Sequence, residues 1–216
     1  MKRMKPAVLS ALTSTLLLLF AGGRGGLADA AAAWTARHNG AGNGDDIVTG
    51  MATDGKGHVY VTGWVKGAGT AADFATIKYD VDGRRLWVRN YNGPAGSSDQ
   101  ALAITVDASG SAYVAGLSWT ASGHSDFAVV KYGPNGKRLW AAGYDGHGNG
   151  IDKATAVAVD PSGNVYAAGW SYKDGVYGDY VTVKYDAAGR RLWVRKIREP
   201  SAANDGIAVL ALDGTG

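Results

Sequence analysis

The side chains with the widest chemical reach in this sequence are aromatic and acidic. Trp64, Trp119, Trp170, Tyr172 and Tyr177 fall in segments that read as loops, and Asp45, Asn92, Asp145, His147 and Asn149 fall in a second set of connections. Aromatic rings with a polar edge, set beside short acids and amides, suit stacking on a sugar ring or gripping a peptide. The candidate ligand-binding set is Trp64, Trp119, Trp170, Tyr172, Tyr177, Asp145 and His147. The competing use of the same rings is to shield sheet edges.

Other groups point away from catalysis. Asp46, Asp99 and Asp152 recur at one spacing, and so do Asp73, Asp126 and Asp179. A catalytic constellation is special rather than repeated, so these carboxylates are expected to accept hydrogen bonds from loop amides or from the next repeat. Lys78, Lys131 and Lys184 recur too and are expected to pair with carboxylates. His38, His58, His124 and His147 occupy four different repeat positions without ligand spacing, and the chain has no Cys, so no metal site is expected. Gly42–Asp46 and Asp80-Val-Asp82-Gly83 look like pieces of calcium loops but lack the rest of such a motif, and read as turns. No G-x-S-x-G occurs, and no catalytic residue or cofactor is expected.

The elements that must position these residues are set by a repeat. Trp34, Trp87, Trp140 and Trp193 are spaced 53, 53 and 53 apart, as are Asp46, Asp99, Asp152 and Asp205. Each unit holds four strand-like runs. Run A is 47–53, 101–106 or 154–159; run B is 59–62, 112–115 or 165–168; run C is 74–79, 127–132 or 180–185; run D starts at Leu86, Leu139 or Leu192. Tight turns rich in Asp and Gly, such as Asp107-Ala-Ser-Gly110 and Asp186-Ala-Ala-Gly189, join A to B and C to D. Run A carries small residues, run D carries bases that deter edge pairing, and Trp87, Trp140 and Trp193 are expected to be buried against the neighbouring unit. Arg84-Arg85, Lys137-Arg138 and Arg190-Arg191 would form a basic rim on the tight-turn face.

Composition agrees with short strands and turns. There are 18 Asp against one Glu, and 33 Gly in 216 residues. The net charge of +3 sits largely in the first 30 residues. Lys2, Arg3 and Lys5 precede an apolar stretch, Ala7–Ala21, and Ala28-Asp29-Ala30 is an A-x-A cleavage site, so residues 1–30 read as an export signal. The remaining chain has 18 bases and 18 acids, which gives no basic field for nucleic acid. No later run is long enough to span a bilayer.

Four antiparallel strands in a unit of this length are the pattern of a propeller blade. The strings DASGSAYVAG, DPSGNVYAAG, DFAVVKYGPNGKRLW and DYVTVKYDAAGRRLW resemble the bacterial seven-bladed β-propeller repeat family (SBBP-type), from Trp34 to the end of the chain. KYDAAGRRLW is also similar to the Trp-docking stretch of quinoprotein propellers. The resemblance implies an all-β fold of four-stranded antiparallel blades and an exported location, extracellular, at the cell surface or periplasmic, with no catalytic residues to carry over. The expected domain plan is a signal at 1–30 and a repeat region at 31–216, with units of about 46–98, 99–151 and 152–204 and the start of another at 205. That is three complete blades and two partial ones, an incomplete ring, read as a fragment of a longer protein. The expected function is an exported, non-catalytic propeller scaffold for binding or adhesion to protein or glycan. The alternative is a piece of a quinoprotein or lyase propeller enzyme whose active site lies outside the chain. Expected partners are a protein or carbohydrate ligand, further blades of the same chain, or a second copy.

Overall fold

The computed structural model describes residues 34–67, 71–146, 150–173, 177–198 and 210–213, and the backbone of 16–18. All fourteen described elements are strands. β1 (Leu16–Leu18) pairs with β2 (Trp34–Ala36). Three antiparallel meanders follow. The first is β3 (Asp46–Thr53), β4 (Val59–Lys66), β5 (Ala72–Tyr79) and β6 (Arg85–Tyr91). The second is β7 (Asp99–Val106), β8 (Ala112–Trp119), β9 (Ser125–Tyr132) and β10 (Arg138–Tyr144). The third is β11 (Ile151–Val159), β12 (Val165–Lys173), β13 (Tyr177–Tyr185) and β14 (Arg191–Arg198).

The expected propeller ring is not the architecture. β3–β6 form one four-stranded sheet, whereas the next eight strands share one mixed sheet in the order β14-β13-β12-β11-β9-β8-β7, with β10 on β9. Among the described residues neither sheet curls or closes, and the SBBP-type assignment is corrected with the ring. The fusion is made at one place. β10 stops pairing with β9 at Tyr144↔Phe127, which leaves the head of β9 open. β11 takes that place through one parallel pair, Ile151↔Ser125. The Ser125 amide donates to Gly150 O at 3.3 Å, and its hydroxyl donates to Asp152 O at 3.3 Å. The repeat dictates strands and turns, but this short parallel joint is not written in it.

The core lies between sheet faces. Tyr60, Phe74, Trp87 and Tyr91 of the first meander pack on Ala101, Ala112, Val114, Ala128, Val130 and Tyr132 of the second. One register on, Tyr113, Phe127 and Tyr144 pack on Ala154, Val165, Ala167, Val181, Val183 and Tyr185. Alternation along each strand thus gives one aromatic face and one aliphatic face. The aliphatic face of the first meander, Val59, Val61, Ile77 and Tyr79, meets Trp34 and Ala36 of β2. The small residues of run A serve this close approach rather than a central axis. Gly50 faces Ile104, and Thr49 Oγ1 donates to Ala101 O at 2.7 Å.

Two devices repeat because backbone geometry demands them. Strands β3, β7 and β11 each carry a bulge, and a Cβ at Gly63, Gly116 or Gly169 would run into the carbonyl oxygen of Ile47, Gln100 or Lys153 beside it. In the turns, an Asp carboxylate accepts amides two and four residues ahead: Asp107 Oδ1 takes Ser109 N and Ser111 N, both at 2.9 Å. The calcium-like Asp80-Val-Asp82-Gly83 is such a turn, with Asp80 Oδ1 taking Asp82 N at 3.0 Å and Arg84 N at 2.8 Å.

Two packing expectations change. Trp87 is buried, at 8% exposure, but Trp140 and Trp193 are only half-buried. The repeated lysines are directed to carbonyls and rings rather than to carboxylates. Lys78 Nζ lies 3.4 Å from Pro134 O and 4.8 Å from the Tyr60 ring centre, and Lys131 repeats this with Ala187 O and Tyr113.

Candidate metal centre

The parallel joint between the second and third meanders gathers three carboxylates. Asp126 is the second residue of β9, Asp145 follows β10, and Asp152 is the second residue of β11. One oxygen of each lies within 4.8 Å of the others. The local fold places them: Asp152 Oδ2 accepts the Gly146 amide at 2.6 Å, which ties the connection after β10 back over β11. A Cβ at Gly146 would strike Ser171 Oγ and lie 3.0 Å from Asp152 Oδ1, so glycine keeps this cradle open.

The electrostatics are those of an acidic pocket short of positive charge. Burial, then the charges of Asp145 and Asp152, push the Asp126 carboxyl up to about 6, with His124 acting weakly against them. Asp152 is fully buried. Ser171 pairs with Asp152 across β11 and β12, so the two side chains share a face. Ser171 is also fully buried, and its hydroxyl has no hydrogen-bond partner. Three carboxylate oxygens and a buried hydroxyl are hard oxygen donors, suited to Ca²⁺ or a similar divalent cation rather than to zinc, which favours nitrogen and sulfur. Chemically the arrangement can hold a cation and so relieve like-charge repulsion across the joint.

Beside it runs a cleft of about 940 Å³, walled by the β6–β7 connection, the β8–β9 connection and β10. Asn92, Trp119, Asp126 and Arg138 line it. Asp126 therefore belongs to both cleft and carboxylate cluster. Of the aromatic candidates, Trp119 ends β8 and enters this cleft, half-buried. Trp64 lies within β4 and lines a separate apolar pocket with Trp34, His38 and Tyr79. Trp170 and Tyr172 lie within β12, edge to face at 6.3 Å, with Lys153 Nζ 4.2 Å from the Trp170 ring centre. Tyr177 opens β13, and His147 falls outside the described residues. The structure thus joins Asp145 to Asp126, sets Trp119 in the cleft that Asp126 lines, and keeps Trp64 in a different pocket.

Sequence reasoning missed the cluster because it treated each Asp as one member of a periodic set. The available signal was Asp145 itself: at its register the first meander has Asn92 and the third Arg198. The reading of Asp46, Asp99 and Asp152 as acceptors of loop amides matches their bonds to Gly40, Gly93 and Gly146 at 2.7, 2.6 and 2.6 Å. Among the described residues no histidine joins the cluster's ligand set; His58 Nδ1 meets Asp54 Oδ2 at 2.8 Å in its own turn. On the basic rim, Arg190 pairs with Asp186 at 2.7 Å, and Arg138 and Arg191 lie over Tyr91 and Tyr144. No described helix is long and apolar enough to cross a membrane.

No family model matches the chain. No curated protein matches it either. Among solved structures, one described as the crystal structure of the eukaryotic initiation factor is 10% identical, with a TM-score of 0.44, over 72% of this chain and 33% of that one. A protein of unknown function from Bacteroides caccae is 12% identical, with a TM-score of 0.26, over 76% of this chain and 85% of that one. This chain spans a third of the length of the first, and likenesses this distant carry no argument about function. The expected propeller scaffold for binding or adhesion, and the alternative propeller enzyme, both presuppose the ring and are corrected with it.

Proposed function

We propose that this chain is an exported, divalent-cation-binding β-sheet domain whose ion sits at the joint between its second and third meanders. The observation that carries the reading is the convergence of Asp126, Asp145 and Asp152 to within 4.8 Å at a joint made of one parallel pair. So thin a backbone link gains from a cation that bridges β9, β11 and the connection between β10 and β11. The leader-like residues 1–30 support a calcium-rich compartment, where extracellular modules work with dissociation constants of about 10⁻⁴–10⁻³ M. A protein or carbohydrate ligand fits the same reading, in the cleft where Trp119 and Asp126 meet.

The test is calorimetric titration of the purified protein with CaCl₂, alongside urea unfolding with calcium or with chelator. Binding near 10⁻⁴ M and a higher urea midpoint in calcium are expected, both lost in Asp152→Asn. Absence of heat and of any midpoint shift up to about 10 mM calcium would falsify the reading.

A further inference from the structure

One wall of the 940 Å³ cleft breaks the repeat. Strand β10 reads Trp140-Ala-Ala-Gly-Tyr144, whereas β6 reads Trp87-Val-Arg-Asn-Tyr91 and β14 reads Trp193-Val-Arg-Lys-Ile197. Of the three strands, β10 alone has lost its larger side chains at three consecutive positions, and Ala141, Ala142 and Gly143 all line the cleft. The backbone does not require the change at Gly143. This glycine has no left-handed φ, and the bulge of β10 falls earlier, between Arg138 and Trp140. An added Cβ would meet Phe127 O at 3.4 Å, an ordinary contact. Gly143 and Ala141 are both exposed. A glycine inside a strand costs conformational entropy and forgoes packing. Where no turn, bulge or crowding calls for it, it marks a place where a ligand comes close to the backbone.

The other walls define the ligand. Trp119, half-buried, brings an apolar ring to the same cleft. The polar groups there are mixed: Asp126 accepts hydrogen bonds, Arg138 donates them, and the Asn92 amide does both. Asn92 and Arg138 are exposed. A bare strip beside an aromatic ring suits a flat ring. Donors and acceptors together suit hydroxyl groups, each of which donates and accepts. One carboxylate and one guanidinium offset each other, which favours a neutral ligand over a polyanion. A bound peptide strand would use pockets for alternate side chains, and the strip offers Ala141, Ala142 and Gly143 in their place. We propose that this cleft binds a neutral oligosaccharide, with one sugar ring on Ala141 and Gly143 against Trp119 and its hydroxyls reaching Asn92, Asp126 and Arg138. This inference rests on the reading of the cleft as a ligand site and narrows its ligand; it does not need the ion.

The test applies the purified protein to an array of neutral oligosaccharides and to a peptide array, with chelator and with CaCl₂, and then titrates a retained oligosaccharide by calorimetry. Retention of an oligosaccharide is expected in chelator as in calcium. Trp119→Ala should weaken binding by about tenfold or more. Gly143→Lys restores the residue that β14 carries as Lys196, and should abolish binding while the urea midpoint stays unchanged or rises. Gly143→Asn, matching Asn90 of β6, should weaken binding by less. Absence of any retained oligosaccharide, retention of peptides alone, binding left intact by Gly143→Lys, or a urea midpoint lowered by both glycine changes overturns the proposal. An oligosaccharide that still binds where calcium gives neither heat nor a midpoint shift removes the ion and leaves this site.

Discussion

Trp87 Nε1 donates to the carbonyl of Pro134 at 3.0 Å, and the indole ring lies on Gly136 in the same turn. The pair recurs as Trp34 with Val81 O at 3.2 Å over Gly83, and as Trp140 with Ala187 O at 3.1 Å over Gly189. Each bond spans 47 residues. The same tryptophan-to-carbonyl bond thus ties each tryptophan strand to a tight turn of the meander that follows it.

Trp87→Ala should be the most damaging of the repeated tryptophan substitutions. It removes a buried ring that contacts Tyr60 at 6.0 Å and Tyr132 at 6.1 Å. A loss of about 3–5 kcal/mol is expected from urea titration. Trp193→Ala should cost less than half of that, because Trp193 is half-buried and, among the described residues, its ring partner is Tyr166 of its own meander, at 6.0 Å. Equal losses would contradict the unequal burial.

Three glycine substitutions separate backbone strain from crowding. Gly136 has φ +79°, and an added Cβ would lie 2.9 Å from the Trp87 ring. Gly96 has φ +62° with nothing near, and Gly55 has neither a positive φ nor a neighbour. Gly55→Ala should be neutral within about 0.5 kcal/mol. Gly96→Ala should cost roughly 1–2 kcal/mol for its left-handed backbone. Gly136→Ala should cost clearly more than Gly96→Ala, because Trp87 must shift as well. Thermal unfolding of the three variants orders them, and a Gly136→Ala protein no worse than Gly96→Ala would show that the Trp87 contact is slack.

These particulars also show how far the residues spoke for themselves. The strands, the Asp-Gly turns and the 53-residue period are legible because each is a local property: apolar alternation, Asx capping and a glycine that must be left-handed or bare. The long-range pairing of sheets was not legible. The link between Ser125 and Ile151 is one parallel pair, and no pattern in either strand announces it: β6 leaves β5 at the same register as β10 leaves β9, yet no such link forms there. The carboxylate cluster was hidden for a related reason. Asp126 and Asp152 looked like structural repeats, and only the folded joint shows that Asp145 turns two periodic acids into a group of three.

Ser171→Ala distinguishes a ligand hydroxyl from an idle one. Without cation, the buried Ser171 hydroxyl lacks a hydrogen bond, so deleting it should leave stability unchanged or raise it by up to about 1 kcal/mol. With saturating calcium the same change should lower the unfolding midpoint and weaken binding severalfold. A substitution neutral in both conditions would remove Ser171 from the ligand set while leaving the three carboxylates.

The pH dependence of stability should carry the mark of the joint. The Asp126 carboxyl is pushed up to about 6 in the folded chain, first by burial and then by Asp145 and Asp152. In the unfolded chain it titrates near 3.9. Between these values the folded protein keeps a proton that the unfolded chain has released, so stability of the cation-free protein falls as pH rises from about 4 to 6. Asp73 and Asp99, also raised, act in the same direction. Asp54, Asp107 and Asp160 act oppositely. Burial pushes them up, but the hydrogen bonds from their own turns outweigh it and hold them low, so their contribution is lost only on further acidification, below about pH 4. Burial and then the Arg85 charge hold His38 below its ordinary value, so its contribution also grows with pH, toward about 6.5. The Asp126 share of stability in the chelated protein should therefore be largest near pH 4 and fall by roughly 1 kcal/mol by pH 7, a figure discounted for the partial exposure of Asp126. Asp126→Asn should raise the midpoint at pH 7 and flatten part of the slope, with Asp73 and Asp99 keeping the rest. Calcium should reverse the trend, because it binds the ionised carboxylates and its affinity rises through pH 6. Urea midpoints across this range, measured with chelator and with calcium, check both signs. A chelated pH profile from 4 to 7 that Asp126→Asn leaves unchanged in slope would mean that Asp126 ionises as freely in the folded chain as in the unfolded one.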